Sequence, residues 1–175
     1  MLKKIAIGLA AIIVIILVMA LLQPNSFTVK RSIAIKAPAE KILPLISDFH
    51  QWGSWSPWEH LDPAMKRTFS GSTNGNGAIY DWSGNDDVGS GRMEVIAVTV
   101  PTNVTIKLDF FKPFEANNVT EFTLDTKGDT TTVNWNMRGP MPFLSKLMCV
   151  FVSMDKMIGK DFEKGLANMK TVAEK

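Results

Sequence analysis

The sequence predicts an α+β protein: an antiparallel strand meander covered by one long C-terminal helix, with a single membrane-spanning helix in front. Three patterns predict it. Apolar and polar residues alternate in short runs between Phe27 and Met137, as strands with one buried and one wet face do. Leu147, Phe151, Met154, Ile158, Phe162, Leu166 and Met169 recur at spacings of three and four, the stripe of an amphipathic helix. Ile5 to Leu22 holds no charged or strongly polar residue.

That last run has 18 residues, which rise about 27 Å as a helix, close to the roughly 30 Å hydrocarbon core of a bilayer. It exceeds the roughly 7–15-residue apolar core of a cleaved signal peptide. Val18-Met19-Ala20 nevertheless fits a small-residue cleavage site, so retained anchor and cleaved signal both stand. Lys3 and Lys4 precede the run, and Gln23-Pro24-Asn25-Ser26 follows it uncharged. The positive-inside rule then places the N-terminus in the cytoplasm and the rest on the extracytoplasmic (periplasmic) side. The predicted divisions are a cytoplasmic segment 1–4, a transmembrane anchor 5–22, a tether 23–26 and a folded domain 27–175.

Within the domain, Phe27, Val29, Ile33 and Ile35 share one strand face, and Arg31 falls on that face with them. Ala37-Pro38-Ala39-Glu40 suits a helix start, with Pro38 in the first turn. Ile42, Leu45, Ile46 and Phe49 continue at helical spacing although Pro44 must weaken that helix. Trp52, Trp55 and Trp58 then fall within seven residues. Such rings are costly to leave in water, so this connection must close over an apolar interior. Gly71 to Gly77 reads as a turn, Ala78–Trp82 as a strand and Ser83–Asp87 as another turn. Strands follow at Gly91–Val100, at Val104–Phe110 and around Phe122, and Lys127-Gly128-Asp129 is a hairpin connection into a strand through Val133, Trp135 and Met137. The helix after Gly139-Pro140-Met141-Pro142 is expected to run unbroken, with Gly159 and Gly165 marking a bend or a close backbone approach.

Composition narrows the function classes. A formal charge of +2 with no Lys/Arg run argues against a nucleic-acid partner. Cys149 is alone, so no intramolecular disulfide forms. It lies in the apolar run Leu147–Phe151. His50 and His60 are the only histidines and match no metal-ligand spacing, so no metal site is expected. The glycine-rich segments 71–77 and 89–91 lead into strands and lack the Lys-Ser/Thr ending of a phosphate loop. No nucleophile elbow is present. No catalytic residue and no cofactor is therefore assigned.

The segments R-S-I-A-I-K-A-P-A-E-K-I, W-G-S-W-S-P-W, G-A-I-Y-D-W-S-G…V-G-S-G-R-M-E-V and K-P-F-E-A-N-N-V-T-E-F-T-L, with the element order around them, resemble the SRPBCC superfamily. Its members include polyketide cyclase/dehydrase-like and START/Bet v 1-like proteins. The resemblance covers Phe27 to Lys175. It implies the helix-grip fold, a curved antiparallel sheet wrapped around the C-terminal helix with an elongated apolar cavity between them. Trp55, Trp58, Tyr80, Trp82, Phe110, Trp135, Met137, Phe143, Met148, Phe151 and Met154 are the candidate cavity-lining residues, with a filled core as the alternative for the deeper ones and rest near the membrane as the alternative for Phe143 to Val152, which is apolar nearly all round. Arg31 and Arg92 are candidate polar pocket groups, with Glu59 and Glu94 on neighbouring candidate segments; ion pairing at the sheet edge is the alternative. The expected partners are a hydrophobic small molecule or lipid, and a membrane through the N-terminal helix. Two other functions remain open: a cyclase/dehydratase-type enzyme for a lipophilic substrate, and a ligand-free interaction module of the cell envelope.

Overall fold

The computed structural model describes residues 2–175. Helix α1 (Leu2–Leu21) leads, through a four-residue tether, into β1 (Ser26–Ile35). There follow α2 (Ala39–Ser47) and two 3₁₀ turns, Phe49–Ser54 and Pro57–His60. Strands β2 (Lys66–Gly71), β3 (Ala78–Ser83), β4 (Ser90–Thr99), β5 (Asn103–Lys112), β6 (Ala116–Lys127) and β7 (Thr130–Pro140) come next. The chain closes with α3 (Phe143–Cys149) and α4 (Met154–Ala173). The strands form one seven-stranded antiparallel sheet in the order β1-β7-β6-β5-β4-β3-β2, so the first strand pairs with the last and the remainder is a meander.

The alternation read from the sequence sets the two faces. Val29, Val95, Val104, Ile106, Phe122, Val133 and Trp135 point inward and are buried. Against them lies one face of α4, with Gly159, Phe162, Gly165, Leu166, Met169 and Ala173 buried. Lys127 pairs with Thr130 across Gly128-Asp129, and Gly128 takes the positive φ of 64° that the first central position of this tight turn requires. Gly159 and Gly165 mark close approaches. A Cβ on Gly165 would sit 3.1 Å from the Trp135 ring, and one on Gly159 would collide with the Arg31 guanidinium.

Two local expectations change. Pro38 is the N-cap of α2, with extended backbone, and does not lie in its first turn. The C-terminal helix is broken: α3 ends at Cys149, and α4 restarts after Ser153, whose hydroxyl accepts from the Lys156 amide at 3.3 Å. A serine that bonds its own backbone in an extended conformation competes with helix continuation and nucleates a new start. Apolar periodicity carries no sign of that competition.

Helix α1 stands apart from the core. Along it only Ile16 and Ala20, four residues apart on one face, lose substantial exposure, and the helix packs against α3. The tether is pinned to the same corner. The Met141 amide donates to the Asn25 carbonyl at 2.8 Å, and Lys146 Nζ donates to Asn25 Oδ1 at 2.6 Å. The helix is long and apolar enough to cross a membrane, a test that an N-terminal signal sequence also passes.

Ion pairs fasten α4 to β1. Arg31 donates to Asp155 at 2.7 and 3.1 Å and to Glu163 at 2.6 Å, and the Lys36 amide donates to Glu174 at 2.7 Å. The hydrogen bond from Arg31 holds Asp155 below its ordinary value of 3.8. The Lys36 amide, then Lys170, holds Glu174 below its ordinary 4.5. Carboxyls depressed in the folded state add stability that is complete above their unfolded values and is lost as pH falls through the folded ones. Unfolding by urea is therefore expected at lower denaturant near pH 3 than near pH 7, with Asp155→Asn narrowing the difference. An unchanged gap in Asp155→Asn would show that this pair does not fasten the helix.

Candidate functional site

A cavity of about 230 Å³ lies between the sheet and the first half of α4, smaller than the 300–1,000 Å³ usual for drug-sized ligands. Strands β3, β4 and β5 supply one wall through Tyr80, Trp82, Met93, Leu108 and Phe110, and Met137 of β7 extends it. These side chains share a face because they alternate along each strand and lie opposite one another across strands: Tyr80 pairs with Met93, and Met93 with Leu108. Ile158 and Phe162 of α4 form the second wall, and Trp52, Ser56, Trp58 and Glu59 of the 3₁₀ turns form the third. Exposure rises toward Trp58, Phe110, Ile158 and the β3–β4 loop at Asp87 and Val88, which sets the mouth there.

One polar arrangement enters this apolar wall. The buried Tyr80 hydroxyl donates to Glu59 Oε1 at 2.6 Å. Arg67 Nε donates to Glu59 Oε2 at 2.7 Å, and Arg67 Nη2 to the Glu59 carbonyl at 2.7 Å. Burial first, and then Glu59, push the Tyr80 phenol well above its ordinary value of 10. Tyr80 is thus a fixed neutral donor whose proton is committed to Glu59. Of the charged groups on the lining, Glu59 and Asp87 are carboxylates, and no lysine or arginine is among them. Among the described residues no cluster of three metal-ligating side chains occurs.

Of the residues the sequence nominated, Trp58, Tyr80, Trp82, Phe110 and Met137 meet at the cavity. Trp55 and Trp135 are buried behind its wall, and half-buried Met154 packs against the core. Trp52 and Trp55 have a structural task. Their indole N–H groups donate to the Ile46 and Leu45 carbonyls at 3.0 and 2.7 Å, satisfying acceptors in the last turn of α2. Phe143, Met148 and Phe151 lie outside the cavity, exposed on α3 and the segment after it, because the helix break turns that segment away from the sheet. Arg31 faces inward but spends its guanidinium on Asp155 and Glu163 of α4, so it is a clamp and not a pocket group. Arg92 lies on the outer face, paired with Asp81 at 2.7 Å and half-exposed; alternation along β4 turns it away from the cavity, opposite to Met93.

Arg67 was not legible as a site residue, because the irregular segment 61–65 lies between its strand and the turn that holds Glu59. Leu108 carries a readable signal, since it alternates in step with the nominated Phe110, whereas Met93 joins the wall only through its cross-strand pairing with Tyr80. A wider polar trough, about 580 Å³ and bordered by Lys30, Glu121, Asn134 and Asn136, lies on the sheet's outer face away from α4.

The likeness to solved structures is one of fold. Ginseng major latex-like protein 151 from Panax ginseng is 13% identical over 86% of this chain and 99% of its own, with a TM-score of 0.61. The Aha1 dimer of Colwellia psychrerythraea gives 15%, 85%, 96% and 0.60, and protein MLL2253 of Mesorhizobium loti 20%, 83%, 96% and 0.58. No curated protein gives a significant sequence match. The sequence model of one family, however, matches residues 26–174, the whole domain after the tether. By that match the chain belongs to the polyketide cyclase / dehydrase and lipid transport family, within the SRPBCC superfamily it resembles.

Proposed function

We propose that the protein is a membrane-anchored binding protein for a small, uncharged lipophilic molecule, held in the cavity between sheet and α4. The observation that carries this reading is the composition of the wall: aromatic, Met and aliphatic side chains, with Glu59 held by Tyr80 and Arg67 and, besides them, Ser56 and the rim residue Asp87 as polar groups. Each ~100 Å² of apolar ligand surface withdrawn from water contributes about 2.5 kcal/mol. The volume suits a small ring system or one end of a longer chain. Two carboxylates on the wall and no cation disfavour a fatty-acid carboxylate, which would be buried without a partner. Commitment of the Tyr80 proton to Glu59 favours binding over acid–base turnover. Retention of α1 as a span fits its almost complete exposure, which water would not tolerate.

Tryptophan fluorescence of the detergent-solubilised chain tests this. A neutral naphthyl ketone is expected to bind, and 2-naphthoate, similar in size but anionic, is expected not to. Glu59→Gln, which releases Arg67, should shrink that preference by about tenfold or more, the equivalent of ~1.4 kcal/mol. Equal binding of both probes by the unaltered chain would refute the charge argument. No binding of either, together with nothing recovered by organic extraction, would refute the site.

A further inference from the structure

Strand register places several separate features at one end of the sheet. Ser26, where β1 begins, pairs with Pro140, where β7 ends. On the neighbouring strands Phe110 pairs with Ala116 and with Gly91. The β5–β6 connection (113–115), the β3–β4 loop (84–89), the exit of α1, and α3 therefore share this end. The cavity mouth, at Phe110 and Val88, opens there too. The β6–β7 turn at Gly128 and the last turn of α4 lie at the other end.

The same end carries large apolar side chains that the fold leaves in water. Phe111 is 52% exposed, Phe114 56%, Phe143 47%, Met148 43% and Phe151 69%. Leu144, 48% exposed, lies beside them on α3. Isolated exposed apolar residues need no explanation, but a cluster of phenylalanines drawn from a β-hairpin and a helix marks a contact surface. The occupant follows from α1. Its only shielded residues, Ile16 and the last-turn Ala20, belong to the apolar span itself, and the helix packs against α3. Whatever touches the last turn of a membrane span lies at the depth of the headgroup–acyl boundary. The rim continues from that point across the end of the sheet.

We propose that this rim is a membrane-docking face: Phe111, Phe114 and Phe143, Leu144, Met148, Phe151 enter the outer boundary of the bilayer that α1 crosses, setting the cavity mouth against the lipid. The inference rests on the reading of α1 as a retained span. It adds that the domain lies on the surface and does not stand off it. Aromatic and aliphatic side chains at that depth bury their apolar bodies just below the headgroups, as interfacial elements do. The ligand then exchanges between bilayer and cavity at the mouth, without crossing bulk water.

Depth-dependent quenching in vesicles tests it on the full chain. Single cysteines at Phe114→Cys, Phe151→Cys, Lys127→Cys and Val14→Cys, each in Cys149→Ser, would carry an environment-sensitive dye. Each variant is reconstituted in phosphatidylcholine vesicles containing doxyl-labelled phosphatidylcholine. Quenching at positions 114 and 151 is expected to be several-fold stronger than at position 127, on the far hairpin. Glu115→Cys repeats the test on the near hairpin with all phenylalanines kept. Quenching at 114, 115 and 151 no stronger than at 127 overturns the proposal. Position 14 reports separately on the span. Strong quenching there with a dry rim refutes docking and leaves the anchor intact, whereas a dry position 14 refutes the anchor. The ligand reading is untouched in either case.

Discussion

Trp135→Ala is expected to lower the free energy of unfolding by about 4 kcal/mol, the upper part of the range for removing a buried aromatic side chain. The ring is the keystone of the interior: it stacks on Phe162 of α4 with centroids 4.0 Å apart and planes 9° from parallel. It also meets Trp55 and Trp58 edge-on at 5.6 and 5.9 Å and lies 4.8 Å from Phe122. Its indole N–H donates to Thr120 Oγ1 at 2.7 Å. Truncation therefore removes contacts to the sheet, the 3₁₀ turns and the helix together, and backbone-limited Gly165 cannot move in to fill the space. Small domains have only about 5–15 kcal/mol in hand, so the unfolding midpoint should drop steeply. Urea titration of the detergent-solubilised chain, followed by near-ultraviolet circular dichroism, measures it. A loss below about 1 kcal/mol would mean that the aromatic stack is not what joins α4 to the sheet.

Leu108→Trp is expected to abolish ligand uptake, lowering affinity by more than about tenfold (~1.4 kcal/mol), while the fold survives. Leu108 is half-buried on β5, opposite Met93, and its side chain ends in the cavity. An indole there fills much of a space of only about 230 Å³. Overpacking of an already filled core costs about 1–3 kcal/mol, but this substitution grows into empty volume and should cost less. Fluorescence titration with the neutral naphthyl ketone, alongside thermal unfolding, separates the two effects. Undiminished binding by a folded Leu108→Trp chain would place the ligand somewhere else on the protein.

Much of the architecture was legible before any coordinates. The strands from Val104 to Met137 each obey a period of two, and a one-residue error would have turned every inward side chain to solvent, so their faces were strongly specified. The site was less so. Tyr80, Trp82, Phe110 and Met137 were readable because strand alternation and aromatic size act together. The tryptophan-rich connection misled in part, because the indoles of Trp52 and Trp55 answer to carbonyls of α2 that no spacing rule reveals. Phe143, Met148 and Phe151 are expected to line the cavity, with rest near the membrane as the alternative, as parts of one unbroken C-terminal helix, and the extended backbone at Ser153 breaks that helix. Arg31 shows the limit most clearly. Its face was correct, but its partners are 124 and 132 residues away on α4, and long-range pairing of charges leaves no local trace.

The four-residue link between α1 and β1 spans at most about 14 Å when fully drawn out, and Asn25 within it is already held by Met141 and Lys146. With α1 embedded, so short a leash rules out patrol of the surrounding compartment. Cargo would be met by lateral diffusion, its availability counted per unit area of leaflet, and any recipient would have to come within a few nanometres of the same patch.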